Sequence, residues 1–333
     1  MKPTIYDVAT KAGVSIATVS KVLNNTGRIS EKTRNHVLKV MQSLNYQPSV
    51  MASALTGKST YTIGLLIPDL ANPFFSELAR SIEDRGHELG YNLVICSTDY
   101  NTQKEAKYID LLKRKSVDGI ILASGFEDTS EVEKLIQENF PVTIVARDFP
   151  LSEVNSVSID DFQGGYEATS YLIKLGHERI AIVARDVWSN RERMRGYKKA
   201  LEDHNLGEYT PFEFAQETNV ESGRKLALKY LSSPTPPTAI FACNDLLAIG
   251  VIQTARELNL HVPDDISVVG FDNTIIATLV DPELTTMAQP IKTMGHEVMD
   301  LMVEVIKKER LNKRRIVLSP NLVIRRSTTK VKI

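Results

Sequence analysis

Apolar and polar positions follow two different rhythms along the chain. From residue 4 to residue 46 the apolar side chains fall three and four apart, the spacing of short amphipathic helices. Thr4 stands three residues before Asp7, a capping-box spacing that also sets a carboxylate at the positive end of a helix running to about Lys11. Gly13 supplies a tight turn, and Ser15 caps a second helix whose inner face carries Val19, Val22 and Leu23. The other side of that helix holds Ala17, Ser20, Lys21 and Asn24, with Ile16 beside them, a stripe of small, polar and basic groups. A third helix, capped by Ser30 and carrying Val37, Leu38, Met41 and Leu44, closes a three-helix core. Two short helices joined by Ala12-Gly13-Val14 read as a helix-turn-helix, and the outer stripe suits base edges in a major groove.

From Tyr61 onward the rhythm changes to short buried runs alternating with amphipathic stretches. TIGLLI, NLVICS, GIILAS and VTIVA are separated by helices over 73–89, 104–115 and 131–139. A second series, SVSID, RIAIVA, TAIFA and ISVVGFD, brings helices over 164–175, 192–204, 221–231 and 245–258. A helix over 292–308 and the segments RIVLS and NLVIRR come last. Continuous apolar strands interleaved with helices specify parallel sheets covered on both faces, here in two units. Between the two rhythms lies SVMASALTGKST, rich in Ala and Ser, with too little apolar surface to hold a helix alone.

Charge sharpens the reading of the first segment. Residues 1–60 hold eight Lys and Arg against Asp7 and Glu31, a net +6 that the whole-chain value of −1 conceals. Basic charge is thus concentrated where DNA phosphates would be met. The 333 residues, 42% of them hydrophobic, suffice for a small head and a large core. MKPTIYDVA lacks an apolar signal core and no apolar run approaches the ~18 residues of a membrane helix, so a cytoplasmic, non-membrane protein is expected. Cys96 and Cys243 sit far apart in strand-like runs and read as buried free thiols. Neither a metal-ligand cluster, a Gly-rich phosphate loop nor a nucleophile elbow is present, so no metal, no cofactor and no enzyme activity is expected.

The run IYDVATKAGVSIATVSKVLNN, followed by ISEKTRNHVLKVMQSLNYQPSVMASALTGKST, resembles the head and hinge of the LacI/GalR family of bacterial transcription regulators, in order, spacing and residue type. The resemblance continues to the C-terminus. It implies an all-α helix-turn-helix head (1–46), a hinge helix (47–60) and an α/β core of two doubly wound lobes (61–333) like a type I periplasmic sugar-binding protein. The first lobe would comprise about 61–158 and 290–333, the second about 159–289. DNA contacts are implied for Thr4, Ser15, Ile16, Ala17, Thr18, Ser20, Lys21 and Asn24, with Leu55 wedged into the minor groove at the centre of a palindromic operator bound by a homodimer.

In open α/β sheets ligands sit beyond the carboxyl ends of the strands. Matched to the family, Asn72, Phe74 and Phe75 of NPFF, Arg147, Asp160, Arg193 of NRERMRGY, Asn244, Asp272 and Gln289 are the effector-binding candidates. An aromatic ring covers the C–H face of a sugar, and a carboxylate accepts bonds from vicinal hydroxyls. Where sugar-binding relatives carry Asp-Arg this chain has Ala146-Arg147; with Arg185 and Arg191 nearby, a site leaning positive and an anionic effector, a uronate or sugar phosphate, are expected. Two alternatives remain at this level. One is control by a phosphorylated carrier protein, whose marker Tyr and Arg are replaced by Ile291 and Asp300. The other is a solute-binding protein, which the core alone would allow but the basic head opposes.

Overall fold

A computed structural model of the chain describes residues 3–23, 26–46, 59–123, 129–148, 154–209, 212–309 and 312–331. The chain divides into two units, residues 1–60 and 61–333. Most of the hinge segment, with Leu55, and also Asn24 lie outside the described residues.

The first unit consists of α1 (Ile5–Ala12), α2 (Ile16–Leu23) and α3 (Glu31–Ser43). The capping box is formed: the Thr4 amide donates to Asp7 Oδ2 at 2.7 Å and the Asp7 amide to Thr4 Oγ1 at 3.4 Å. Gly13 takes the left-handed conformation, φ 63°, that ends α1. Ser15 Oγ accepts the Thr18 amide at 3.1 Å and starts α2. Val8, Val19 and Val37 are wholly buried among Ala9, Val22, Val40 and Met41. Leu38 departs from expectation, standing 42% exposed. The inner face of α3 is the 37, 40, 41, 44 row, and a residue one step on from 37 points about 100° away from it.

The second unit is built from β1 (Thr62–Ile67), α4 (Pro73–Glu88), β2 (Asn92–Ser97), α5 (Thr102–Arg114), β3 (Gly119–Ala123), α6 (Ser130–Gln137), β4 (Val142–Val145) and β5 (Asn155–Ile159). Then come α7 (Asp161–Lys174), β6 (Ile180–Val183), α8 (Trp188–Asp203), α9 (Val220–Leu231), β7 (Ala239–Ala242), α10 (Asp245–Glu257), β8 (Ser267–Asp272), α11 (Ile276–Leu279) and β9 (Thr285–Ala288). Last are α12 (Ile291–Lys307), β10 (Arg315–Leu318) and β11 (Asn321–Val323). One sheet has the order β10-β5-β4-β3-β1-β2, the other β11-β9-β8-β7-β6. All pairings are parallel except β11 with β9. Each sheet is the spine of a lobe, and the chain passes between lobes at Asp160, at Gln289-Pro290 and between β10 and β11.

Two features differ from the sequence expectation. NLVIRR was expected to return to the first lobe with RIVLS; β10 lies beside β5, but β11 pairs antiparallel with β9 in the second sheet, so the last residues belong to the second lobe. The second difference is β9 itself, a strand of Thr285, Thr286, Met287 and Ala288 that carries no apolar run. Its hydroxyls are buried because partners wait for them: Thr286 Oγ1 donates to Asp245 Oδ1 at 2.7 Å, and Thr285 Oγ1 meets Thr328 Oγ1 at 3.1 Å.

The glycines that position the site are Gly165 and Gly196, where α7 crosses α8. A Cβ at Gly165 would stand 2.0 Å from the Arg193 carbonyl oxygen, and one at Gly196 the same distance from that of Phe162. Only hydrogen at both positions lets the helices touch backbone to backbone, which sets Asp161 at the head of α7 against Arg193 in α8.

Candidate functional site

A cleft whose empty space, counted with the solvent it opens to, is about 520 Å³ lies between the lobes at the carboxyl ends of the strands. Asn72, Phe74 and Phe75 enter it after β1, Asp161 after β5, Arg193 from α8, Cys243 and Asn244 after β7, Asp272 at the end of β8 and Gln289 after β9. The strand ends of both sheets therefore converge on one space, as the general rule for open α/β sheets requires.

Local structure explains each placement. Asn72 Oδ1 accepts the Phe74 amide at 3.0 Å and Asn244 Oδ1 the Leu247 amide at 2.8 Å, so both are helix caps, and both residues line the cavity. Phe74 and Phe75 meet edge to face, ring centroids 5.0 Å apart, and both line the cavity while buried. Ala146, Tyr100 and Asp272 hold positive φ values of 59°, 55° and 112°. Backbone strain of this kind, each case costing on the order of 1–3 kcal/mol, clusters where a fold must aim a group.

Arg193 is the centre of the polar part. Its Nε donates to Asp161 Oδ1 at 2.7 Å, its Nη1 donates to the Cys243 carbonyl at 2.5 Å, and Nη1 lies 3.8 Å from Asp272 Oδ1. The guanidinium carbon stands 3.5 Å from the Phe271 ring centroid, so the cation is also stacked. Burial works against its charge, yet Asp161 and Asp272 outweigh it and its pKa is raised. The acids bear the complementary strain. Burial pushes Asp161 up to about 6 against the pull of Arg193, and pushes Asp272 well above the usual carboxylate range. Gln289 Nε2 donates to Asp272 Oδ1 at 2.6 Å and fixes that carboxylate from the interlobe crossing.

Two candidates are not brought to the cavity. Asp160 is the cap of α7, its Oδ1 accepting the Gln163 amide at 2.9 Å, and its neighbour Asp161 is the acid that lines the space. Ala146, not Arg147, stands in the wall. Arg191 is tied to Asp186 at 2.6 Å, Arg185 lies over the Tyr100 ring, and among the described residues Arg193 is the one cation lining the cavity, facing two carboxyls. Sequence reasoning missed Tyr100, Asp161, Asn190, Thr218 and Cys243. Burial raises the Cys243 thiol to about 12, which keeps it protonated.

In the head, Thr4, Ser15, Ile16, Ala17 and Lys21 are exposed, while Thr18 and Ser20 are half-buried. Ile16 presents 40% of its surface, and Tyr6, absent from the sequence candidates, presents 66%. An apolar, hydroxyl and cationic face on a short helix has the chemistry of base-edge and phosphate contact. Among the described residues no helix is long and apolar enough to cross a membrane.

Comparison with known proteins agrees with both halves. Residues 4–49 match the family described as bacterial regulatory proteins, lacI family, and residues 169–328 match the periplasmic binding protein-like domain. The HTH-type transcriptional regulator DegA of Bacillus subtilis (strain 168) is 48% identical, with 99% of each chain covered. The lac repressor dimer bound to operator and the anti-inducer ONPF superposes with a TM-score of 0.87 at 29% identity, over 99% of this chain and 100% of that one. A LacI family regulator from Enterococcus faecium with bound ribose gives 0.74 at 30% identity, over 81% of this chain and 100% of that one. With a basic helix-turn-helix head, a two-lobed cleft and full-length relatives of this kind, the chain belongs to the LacI family of bacterial DNA-binding transcriptional regulators.

Proposed function

We propose that the protein is a homodimeric repressor of palindromic operator DNA whose affinity is set by a neutral, hydroxyl-rich small molecule, a sugar in size and chemistry, bound between the lobes. The carrying observation is that Arg193 is held between Asp161 and Asp272, so among the described residues the cavity offers one cation, already matched by acids. An anionic group would meet those carboxyls, whereas a polyol gives protons to Asp161 and Asp272 and accepts from Arg193, Asn72 and Asn244. Phe74 and Phe75 supply the apolar surface for a ring face. Binding shifts the balance between lobe arrangements, and operator affinity follows by linkage. Ribose in the Enterococcus faecium structure supports this ligand class.

Control by a phosphorylated carrier protein is the weaker reading. Asp300 stands where such regulators have an arginine, and it accepts Arg85 Nε at 2.8 Å within its own chain. A thermal-shift panel of D-ribose, D-glucose, cellobiose, D-glucuronate and glucose 6-phosphate tests the proposal. Stabilisation by a neutral sugar is the expected result, because a ligand of the native state raises the melting temperature. Stabilisation by the two anions alone would overturn it.

A further inference from the structure

Tyr100 reaches the effector cavity from an unusual place. It belongs to the loop between β2 and α5, in the first lobe, and Asp99 and Tyr100 both hold φ 55°, two consecutive left-handed residues without glycine. The loop is pinned on either side, the Asp99 amide on the Pro68 carbonyl at 2.7 Å and the Asn101 amide on the Thr98 carbonyl at 3.0 Å. A backbone held this way aims the phenol ring in one direction.

The second lobe receives it. Arg185, just past β6, lays its guanidinium carbon 3.8 Å from the Tyr100 ring centroid. Its own backbone is fixed, since Asn190 Nδ2 donates to the Arg185 carbonyl at 3.1 Å and the Val187 amide does so at 2.9 Å. Val187, Asn190 and Tyr100 all line the cavity. Burial raises the Tyr100 pKa, and Arg185 and Thr218, both of the second lobe, pull it the other way. A second contact between the lobes lies near the cleft, the Ile275 amide donating to Glu77 Oε1 at 3.1 Å.

We propose that Tyr100 is a wall of the effector site and that Arg185 is its positioning residue, so the stacked pair clasps one lobe to the other and completes the cavity only when they are closed. The proposal rests on the effector reading for its purpose, but the clasp exists without effector and is tested without it. The test uses full-length protein with no sugar added. Tyr100→Leu, Arg185→Met, their double mutant and Tyr100→Phe are compared by thermal melting and by acrylamide quenching of Trp188, the single tryptophan, which sits between Val187 and Ser189 of the cavity wall.

A stacked cation that contributes as such pairs do lowers Tm by about 2–4 °C when either partner is lost. The expected result is that the double mutant melts no lower than the weaker single mutant, that Trp188 becomes more quenchable in all three, and that Tyr100→Phe, which keeps the stacked ring and gives up only the hydroxyl's bond to Thr218, loses less than Tyr100→Leu. Additive losses, or unchanged quenching of Trp188, would overturn the clasp. A silent sugar panel with a coupled pair would remove the effector reading alone; an additive pair with a sugar hit would remove the clasp alone.

Discussion

Arg193 and Asp161 show how much depends on a single position along a chain. Asp160 and Asp161 are adjacent acids after a strand, and sequence cannot tell which caps the helix and which turns inward, because each role needs only a carboxylate at a helix start. The cap went to Asp160, and the step of about 100° to the next residue carried Asp161 to the cavity. Asn244, Asp272 and Gln289 were legible because each stands at or just after a strand in family order, and Arg193 because NRERMRGY carries it in a helix. Tyr100 was not, since nothing in STDYN announces a left-handed backbone. His177 offers a residue-level test of another kind. Its ring is buried, with Nδ1 3.0 Å from Thr238 Oγ1 and Nε2 3.0 Å from the Thr329 carbonyl, and burial lowers its pKa below the usual 6.5. An unfolded imidazole takes a proton near pH 6.5 that the folded one refuses. Its contribution is therefore complete above that pH and lost as pH falls through the folded value. Melting temperature measured from pH 7.5 to 5 should fall more steeply in wild type than in His177→Gln, which has no proton to bind.

At the level of elements, the helix crossing of α7 on α8 decides the site geometry, and its cause is Gly165 in α7 facing Gly196 in α8. A methyl at Gly165 meets backbone, the Arg193 carbonyl at 2.0 Å, so it cannot be relieved by a rotamer change. Gly165→Ala should cost on the order of 3 kcal/mol or more, read as a lowered urea midpoint, as overpacking against backbone does. The strand β9 was illegible for the opposite reason: its threonines are polar in sequence and buried in structure only because Asp245 and Thr328, distant in the chain, satisfy them. In the head, the inner face of α2 was legible, since Val19 and Val22 are buried and Leu23 packs against the same core, as their spacing predicts. Lys21 is exposed on it. Lys21→Ala should weaken operator binding by about 1–3 kcal/mol if the ammonium meets a guanine edge, with altered preference at that base pair in a competition assay.

For the molecule as a whole, the path of the last residues matters more than the count of strands. The sequence pattern shows two apolar segments at the end and no reason to separate them; the structure gives β10 to the first sheet and β11 to the second, so the C-terminal segment ties off the lobe opposite to the one it leaves. Beyond β11 the chain continues to close that lobe. Ser327 Oγ donates to the Val268 carbonyl at 2.6 Å and accepts the Thr285 amide at 2.8 Å, the Thr329 amide donates to Ser267 Oγ at 3.0 Å, and the Val331 amide to the Leu175 carbonyl at 3.0 Å. Removing these partners leaves buried donors and acceptors unmatched in β8 and β9, each costing about 1–3 kcal/mol. A chain ending after Leu318 keeps β10 beside β5 yet strips the second lobe of all of this. Hydrogen exchange on that truncated protein should therefore show protection lost over 267–288 and retained over 62–67 and 119–123. Equal loss in both lobes would mean instead that the two sheets unfold as one cooperative body, and that the crossings at Asp160 and Gln289-Pro290 transmit stability as well as position.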